Sequence, residues 1–567
     1  MKAETTLIIN DLSGSINEYV GPGLLKTNQF SLLLNVNQSQ LGNLAHRLGT
    51  NLFLNLVSGA NQVRGLQMFY KDDNTYFLHM VHQGNIYVSN EAGAVWTSQV
   101  TQANSGLATT SEVDFTNFIG RHYYVGNNAT DLRYVTETGA ATIQAAVTGT
   151  VDASSTASTL IATTSIFNVG MVGLTITNIT DAATRTITAY TSPTQVTVNS
   201  AINDTWDGDS IAIYLKGKYL ATNGAYMMLA GNDIYPRRGY WTSLEGSTTN
   251  VPFIDVGADY AITDKPHTGV ASFGNGRDFI IFTRDNYLTV NPRNGATIQV
   301  DDFGCVSHRS ISVVQGTAVW LSDKGFMALA YNQAYPQDIS LPIKNDLTFA
   351  AIFNSINRGT LSATASGVID DRYFCALQNL TGPINGQTIN DCVVEYDFGQ
   401  SVWRVHSYTA GGLAAVFAKF INLNNQHDLY AGSMDNSAVY KLEVPGIYTD
   451  ANSAGTPVSV SSVIQTKHYD FGFKDMADFK NITKIMFKYR STGTITVRYA
   501  LDGATTYTAL PAVLPISPAG VDWTWQYFIF GKECRTISLE IESSGEYIIH
   551  HIGFTITSLT VEGILPI

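Results

Sequence analysis

The stretch DDFGCVSHRSISVVQGTAVWLSDKGFMAL, residues 301–329, brings Cys305, Ser307, His308, Arg309 and Ser310 within a few positions. A thiol near an imidazole is the raw material of a nucleophile with its base. Such catalysis also needs a base that reaches the sulfur and an oxyanion hole, and both usually come from residues distant in sequence. Here the cluster follows TIQVDDFG and leads into SISVVQG. Gly304 turns the chain, so the favoured reading is a polar corner between an outgoing and an incoming strand.

Other candidates are weighed in the same way. Asp204, Asp207 and Asp209 in NDTWDGDSI could hold calcium. The EF-hand spacing and a closing bidentate Glu are missing, which favours a solvated turn. Ser89, Glu91, Gly93 and Trp96 in SNEAGAVW loosely resemble the Asp box of sialidase-type propellers, with Glu in place of Asp, and Ser322, Asp323, Gly325 and Phe326 are a weaker echo. That box is a hairpin-stabilising turn, so a match speaks to fold and not to activity. His550 and His551 should point to opposite faces of a strand and cannot share a metal. Cys305, Cys375, Cys392 and Cys534 read as buried thiols, without zinc spacing or a disulfide framework. No phosphate loop, HExxH or GxSxG occurs. We name no catalytic residue, cofactor or metal. Arg47, Arg237, Arg238, His308 and Arg309 are expected to make polar contacts between elements or between subunits.

The elements that must position these residues are strands. Helical periodicity is nearly absent, with 343–357 the best candidate. Elsewhere apolar residues alternate in short runs broken by Gly, Asn and Asp. The stretch 63–100 shows the unit: VRGLQMFYK, TYFLHMVHQ, GNIYVSN and AVWTSQV, separated by hairpin-turn residues. Four antiparallel strands in about 40 residues is the size of a propeller blade. The pattern recurs and predicts an all-β protein, a β-propeller of about six blades. Tandem sandwiches are the competing arrangement. The expected organisation is an N-terminal arm and strand (1–50), propeller (51–139), a small inserted β domain (140–215), propeller again (216–446) and a C-terminal β-sandwich (447–567). The insert is poor in aromatic residues and is expected inside one blade, between Tyr123–Val135 and Tyr219–Trp241.

The totals limit function. Of 567 residues only 14% are charged, against about 25% in an average globular protein. The net charge of −13 and the lack of a basic run argue against phosphate binding. No apolar window is long enough for a membrane helix or a secretory leader.

Three segments carry a family resemblance. The first is DLSGSINEYVGPGLLKTNQFSLLLNV followed by HRLG, with Ser13, Gly14, Asn17, Asn28, Gln29, Leu34, Asn35, Val36, Arg47 and Gly49 at the matching positions; Ser15 stands where the family has a second Gly. The others are NDIYPRRGYWTSL (232–244) and the Gly-Cys-Val-Ser corner with its Trp-Leu-Ser-Asp-x-Gly hairpin. In this order they resemble the β-propeller nozzle, or tail tubular, subunits of short-tailed phages and related tail-hub proteins. The resemblance implies a structural virion protein of the tail. Several copies would form a ring around a DNA channel, joined to an adaptor or stopper and to receptor-binding or fibre proteins, with DNA passing unbound. The alternatives are a carbohydrate- or receptor-binding propeller and, further off, a sialidase-like glycosidase.

Overall fold

A computed structural model describes residues 4–558 apart from 20–23, 39–41, 57–60, 71–74, 90–94, 129, 137–139, 203–205, 243–259, 275, 332, 345–350, 382–383, 385–386, 409–411, 422–425 and 472–478. Strands dominate, as the alternation predicts. Among the described residues, six four-stranded sheets and the first four strands of a nine-stranded one make seven blades. Blade I spans 65–100, II 113–143, III 219–262, IV 269–301, V 312–338, VI 365–406 and VII 414–444. The fourth strand of blade VII comes from the other end of the chain: Gly49–Leu54 pairs with Val439–Val444. The first strand of each blade touches the first strands of its two neighbours, so the seven close into a ring around an axis. The chain is a β-propeller with a small inserted β domain and a C-terminal β-sandwich.

The count is one above the expected six because the insert does not lie inside a blade. Thr142–Ile143 completes blade II, and Tyr219–Thr222 opens blade III. Thr142–Ile143 and Tyr260–Ile262, the fourth strands of blades II and III, are too short to show a period, so the two blades read as one. The insert occupies the connection from blade II to blade III. Six strands between Ala145 and Tyr214 curl until Val151 bridges Ala162, with Asp152 N donating to Ile161 O at 2.8 Å. Trp206 is buried in its core, which runs on into Tyr123 of blade II and Leu229 of blade III.

The N-terminal arm is shared by both large domains. Glu4–Ile9 pairs with Tyr547–Ser558 of the sandwich. Phe30–Leu34 lies between Val402–His406 of blade VI and Ser462–Thr466 of the sandwich, which fuses them into the nine-stranded sheet. One apolar core then extends from Phe326 and Trp403 of the propeller to Phe487 and Phe554 of the sandwich. The helix expected over 343–357 is not seen: 351–357 forms turns, and 345–350 lies outside the described residues.

Candidate functional site

Blade strands run alternately up and down, so every blade-to-blade connection emerges on the same face of the disk. The segment 302–311, between blades IV and V, is one of these. Gly304 is required there by close approach, because a Cβ would lie 2.1 Å from the Arg284 carbonyl oxygen. Trp320 Nε1 donates to the Gly304 oxygen at 3.0 Å, and Ser310 Oγ donates to Ser307 O at 2.7 Å. These bonds build the corner read from the sequence and end it in a 3-10 turn, His308–Ser310.

That turn carries His308 and Arg309 over the mouth of the axis. His308 Nε2 lies 2.8 Å from Asp114 Oδ2 of blade II, and the same oxygen accepts from Leu220 N of blade III at 2.6 Å. His308 Nδ1 faces Val270 N of blade IV at 3.4 Å, which fixes Nε2–H as the donor to the carboxylate. Arg309 donates to Ala415 O of blade VII at 3.1 Å, to Arg64 O at the start of blade I, and to Val113 O of blade II at 3.4 Å. Its own carbonyl accepts from Ser366 Oγ of blade VI at 2.8 Å. Two consecutive residues of the lead-in to blade V thus reach all six other blades. Gly269 makes room for them: a Cβ there would fall 3.1 Å from His308 Cα.

Cavities of about 390 Å³ and 260 Å³ adjoin this knot, and both are lined by Val113, Asp114, His308 and Arg309. Their chemistry is muted. Cys305 is fully buried, its S–H donates to Ser307 O at 3.1 Å, and burial pushes its pKa up to about 12. His308 addresses Asp114 and not the sulfur. Tyr219, 4.7 Å from the His308 ring, is pushed up to about 12, again by burial. No group in the knot is poised as a nucleophile.

The other expected residues lie apart from it. Arg47 has no solvent exposure and pairs with buried Asp450 at 2.5 Å; it also donates to Asn35 Oδ1 at 2.9 Å and Ser407 O at 2.8 Å. It joins the arm, the end of blade VI and the start of the sandwich, an inter-element contact within one chain. Arg237 donates to Asp264 O at 3.3 Å, and Arg238 packs over Tyr235 and Tyr260. Arg284 pairs with Asp323 at 2.7 Å. Asp204, Glu91 and Gly93 lie outside the described residues. Asp209 accepts from Asn178 Nδ2 at 2.7 Å, Asp207 is exposed, and no described cluster of three His, Cys, Asp or Glu could hold a metal. Trp96 packs edge-on to Phe53 in the blade I–VII contact. The four cysteines are free and buried, with Cys392 opposite Leu377 and not opposite Cys375.

The histidine pair departs from the expectation. Lys488 faces His551 and Tyr489 faces Ile549, which leaves His550 as the extra residue of a β-bulge. Alternation fails there, and the two rings come within 4.2 Å. Beside them Trp525 stacks with His551 at 5.8 Å and with Tyr527 at 6.3 Å. Sequence reasoning missed this exposed aromatic row, although the run WTWQYFIFG signals it.

No family model matches the chain, and no curated protein matches it. Among solved structures it is similar to a streptogramin B lyase (TM-score 0.35, 8% identity, 70% of this chain and 97% of the other). Similar too are the virginiamycin B lyase from Staphylococcus aureus (0.35, 8%, 68% and 97%) and a chain of a mitotic checkpoint complex (0.35, 6%, 69% and 96%).

Proposed function

We propose that this chain is a structural protein of a bacteriophage tail, several copies of which form a ring, as nozzle or hub, around the DNA path. The observation that carries the reading is the axial knot. The polar groups of His308 and Arg309 at the mouth are spent on neighbouring blades, which makes the disk a rigid body whose flanks are left for contacts. The axis of one propeller is crossed by these side chains, so in this reading DNA passes between copies. A chain of net charge −13 repels phosphate and suits such a wall. The sequence resemblance over 1–447 supplies the tail context, with an adaptor or stopper on one side and fibre or receptor-binding proteins on the other.

Electron microscopy of the purified protein tests this: closed rings support it, and a monomer that turns over an aryl glycoside overturns it. Glycan binding is the second reading, favoured by the exposed, parallel rings of Trp525 and Tyr527. It predicts saturable oligosaccharide binding that Trp525→Ala abolishes.

A further inference from the structure

Among the described residues, the outer sandwich sheet is open at Thr524–Cys534, and on its other side Glu4–Ile9 shares the flank of Tyr547–Ser558 with Leu44–His46, which in turn pairs with Val36–Gln38. Across this sheet Thr524–Cys534 pairs with Lys480–Ser491, which pairs with Tyr547–Ser558, which pairs with Glu4–Ile9. Among the described residues, neither Thr524–Cys534 nor Glu4–Ile9 has a partner on its far side. Natural edges are blunted by charge, proline or brevity. The stretch 524–531 of this edge, TWQYFIFG, carries no charge and no proline; a bulge between Ile529 and Lys532 and the charges of Lys532 and Glu533 come only after it. It exposes Trp525 at 41%, Tyr527 at 54% and Ile529 at 84%. On the opposite edge Ile8 is 47% exposed.

We propose that Thr524–Cys534 of one copy pairs antiparallel with Glu4–Ile9 of the next, so that one sheet runs from subunit to subunit. This rests on the ring reading and names the surface that would build it. Strand direction decides the occupant. With three antiparallel steps between them, the two edge strands already run in opposite directions within one chain. A second copy brought alongside in the same orientation therefore presents its Glu4–Ile9 antiparallel to Thr524–Cys534. Unlike edges meet, which is the heterologous contact that generates rings, whereas a twofold axis would join like edges. Within the chain, one outward row reads Ile8, Gly553, Met486, Tyr527, and the next reads Thr6, Thr555, Lys484, Ile529. The register that continues these rows sets Ile8 of the next copy beside Tyr527 and Thr6 beside Ile529. It covers both exposed side chains with apolar surface and satisfies open backbone groups. Glu4 then arrives next to Lys532.

The test is a cysteine pair, Ile8→Cys with Tyr527→Cys, in the full chain, where the native cysteines are buried. Oxidation should give a ladder of covalent oligomers on a non-reducing gel, while each single variant stays monomeric. Ile529→Lys, at a site that leaves the core untouched, should convert rings to folded monomers by light scattering, with an unchanged circular dichroism spectrum. A dimer from Tyr527→Cys alone means twofold pairing and overturns the proposal. So does an oligosaccharide that binds this strand and leaves assembly intact. Rings that persist in Ile529→Lys without any ladder overturn the edge pairing and leave the ring reading standing; a wild-type protein that forms neither rings nor ladders removes both.

Discussion

Arg309 shows how one side chain becomes architecture. Its planar fork donates to main-chain oxygens of three blades, a geometry that a single ammonium cannot reproduce. Arg309→Lys keeps the charge and should still cost about 2 kcal/mol, since buried carbonyls lose their donors. A lowered urea midpoint for the propeller transition, with an unchanged far-ultraviolet spectrum, is the expected result. The four thiols give a second residue-scale prediction. Burial raises the pKa of Cys305, Cys375 and Cys534 to about 12 and that of Cys392 further. Ellman's reagent at pH 8 should therefore find no reactive thiol in the native protein and four after denaturation. Histidine supplies the pH dependence. His79 and His122 are in contact within the blade I–II packing, and burial lowers both; His79 falls to about 3 and buried His267 to about 4. The unfolded chain takes up these protons near pH 6.5, before the native state does. The contribution of these histidines is constant above that value and falls as the pH drops below it, by about 1.4 kcal/mol per unit for each, levelling off below the native values; buried Glu18, raised to about 8, contributes the opposite slope up to that pH. His267→Gln should flatten the slope between pH 6 and pH 4 in denaturation midpoints.

At the scale of elements, the ends of the chain hold the molecule closed. Gly49–Leu54 completes blade VII, and Arg47 just before it anchors the arm to Asp450. Arg47→Ala strands a buried carboxylate and should cost about 3–5 kcal/mol, visible as a much lower melting temperature. Double replacement of Arg47 and Asp450 by Met and Leu should recover most of the loss, because the pair's value lies in not leaving one charge alone. The elements were also what the residues disclosed best. Alternation and hairpin turns mark strands locally, so a propeller, an insert and a C-terminal sandwich could be read without the structure, whereas the seventh blade and the insert's place between blades II and III could not. The corner at 305–310 was legible for the same reason, since Gly304 and its polar neighbours act locally. Its position over the axis was not. That depends on seven sheets closing, and Asp114, Arg64 and Ala415 are brought to it by topology from far along the chain. His550 and His551 were misread because a bulge is one extra residue and leaves no mark on the pattern.

At the scale of the whole molecule, charge and shape make a joint claim. Duplex DNA binds proteins chiefly by exchanging its counterions for Lys and Arg, and that attraction strengthens as salt is removed. This chain has 33 Lys and Arg against 46 Asp and Glu. Many of its cations are committed internally: Arg47 to Asp450, Arg404 and Arg372 to buried Glu395, Arg309 to the axial knot. In the proposed role, a wall that lets DNA slide must not gain affinity at low salt, because each retained phosphate would be a point of drag. Fluorescence anisotropy of a labelled duplex should therefore show no binding at any ionic strength, including the lowest at which the protein stays soluble. An affinity that rises steeply as salt falls would mean that a basic surface is assembled somewhere on the molecule, and the conduit reading would fail with it. A flat response in the Ile529→Lys variant as well, where it is monomeric, would place the repulsion in the chain itself and not in the way copies are arranged.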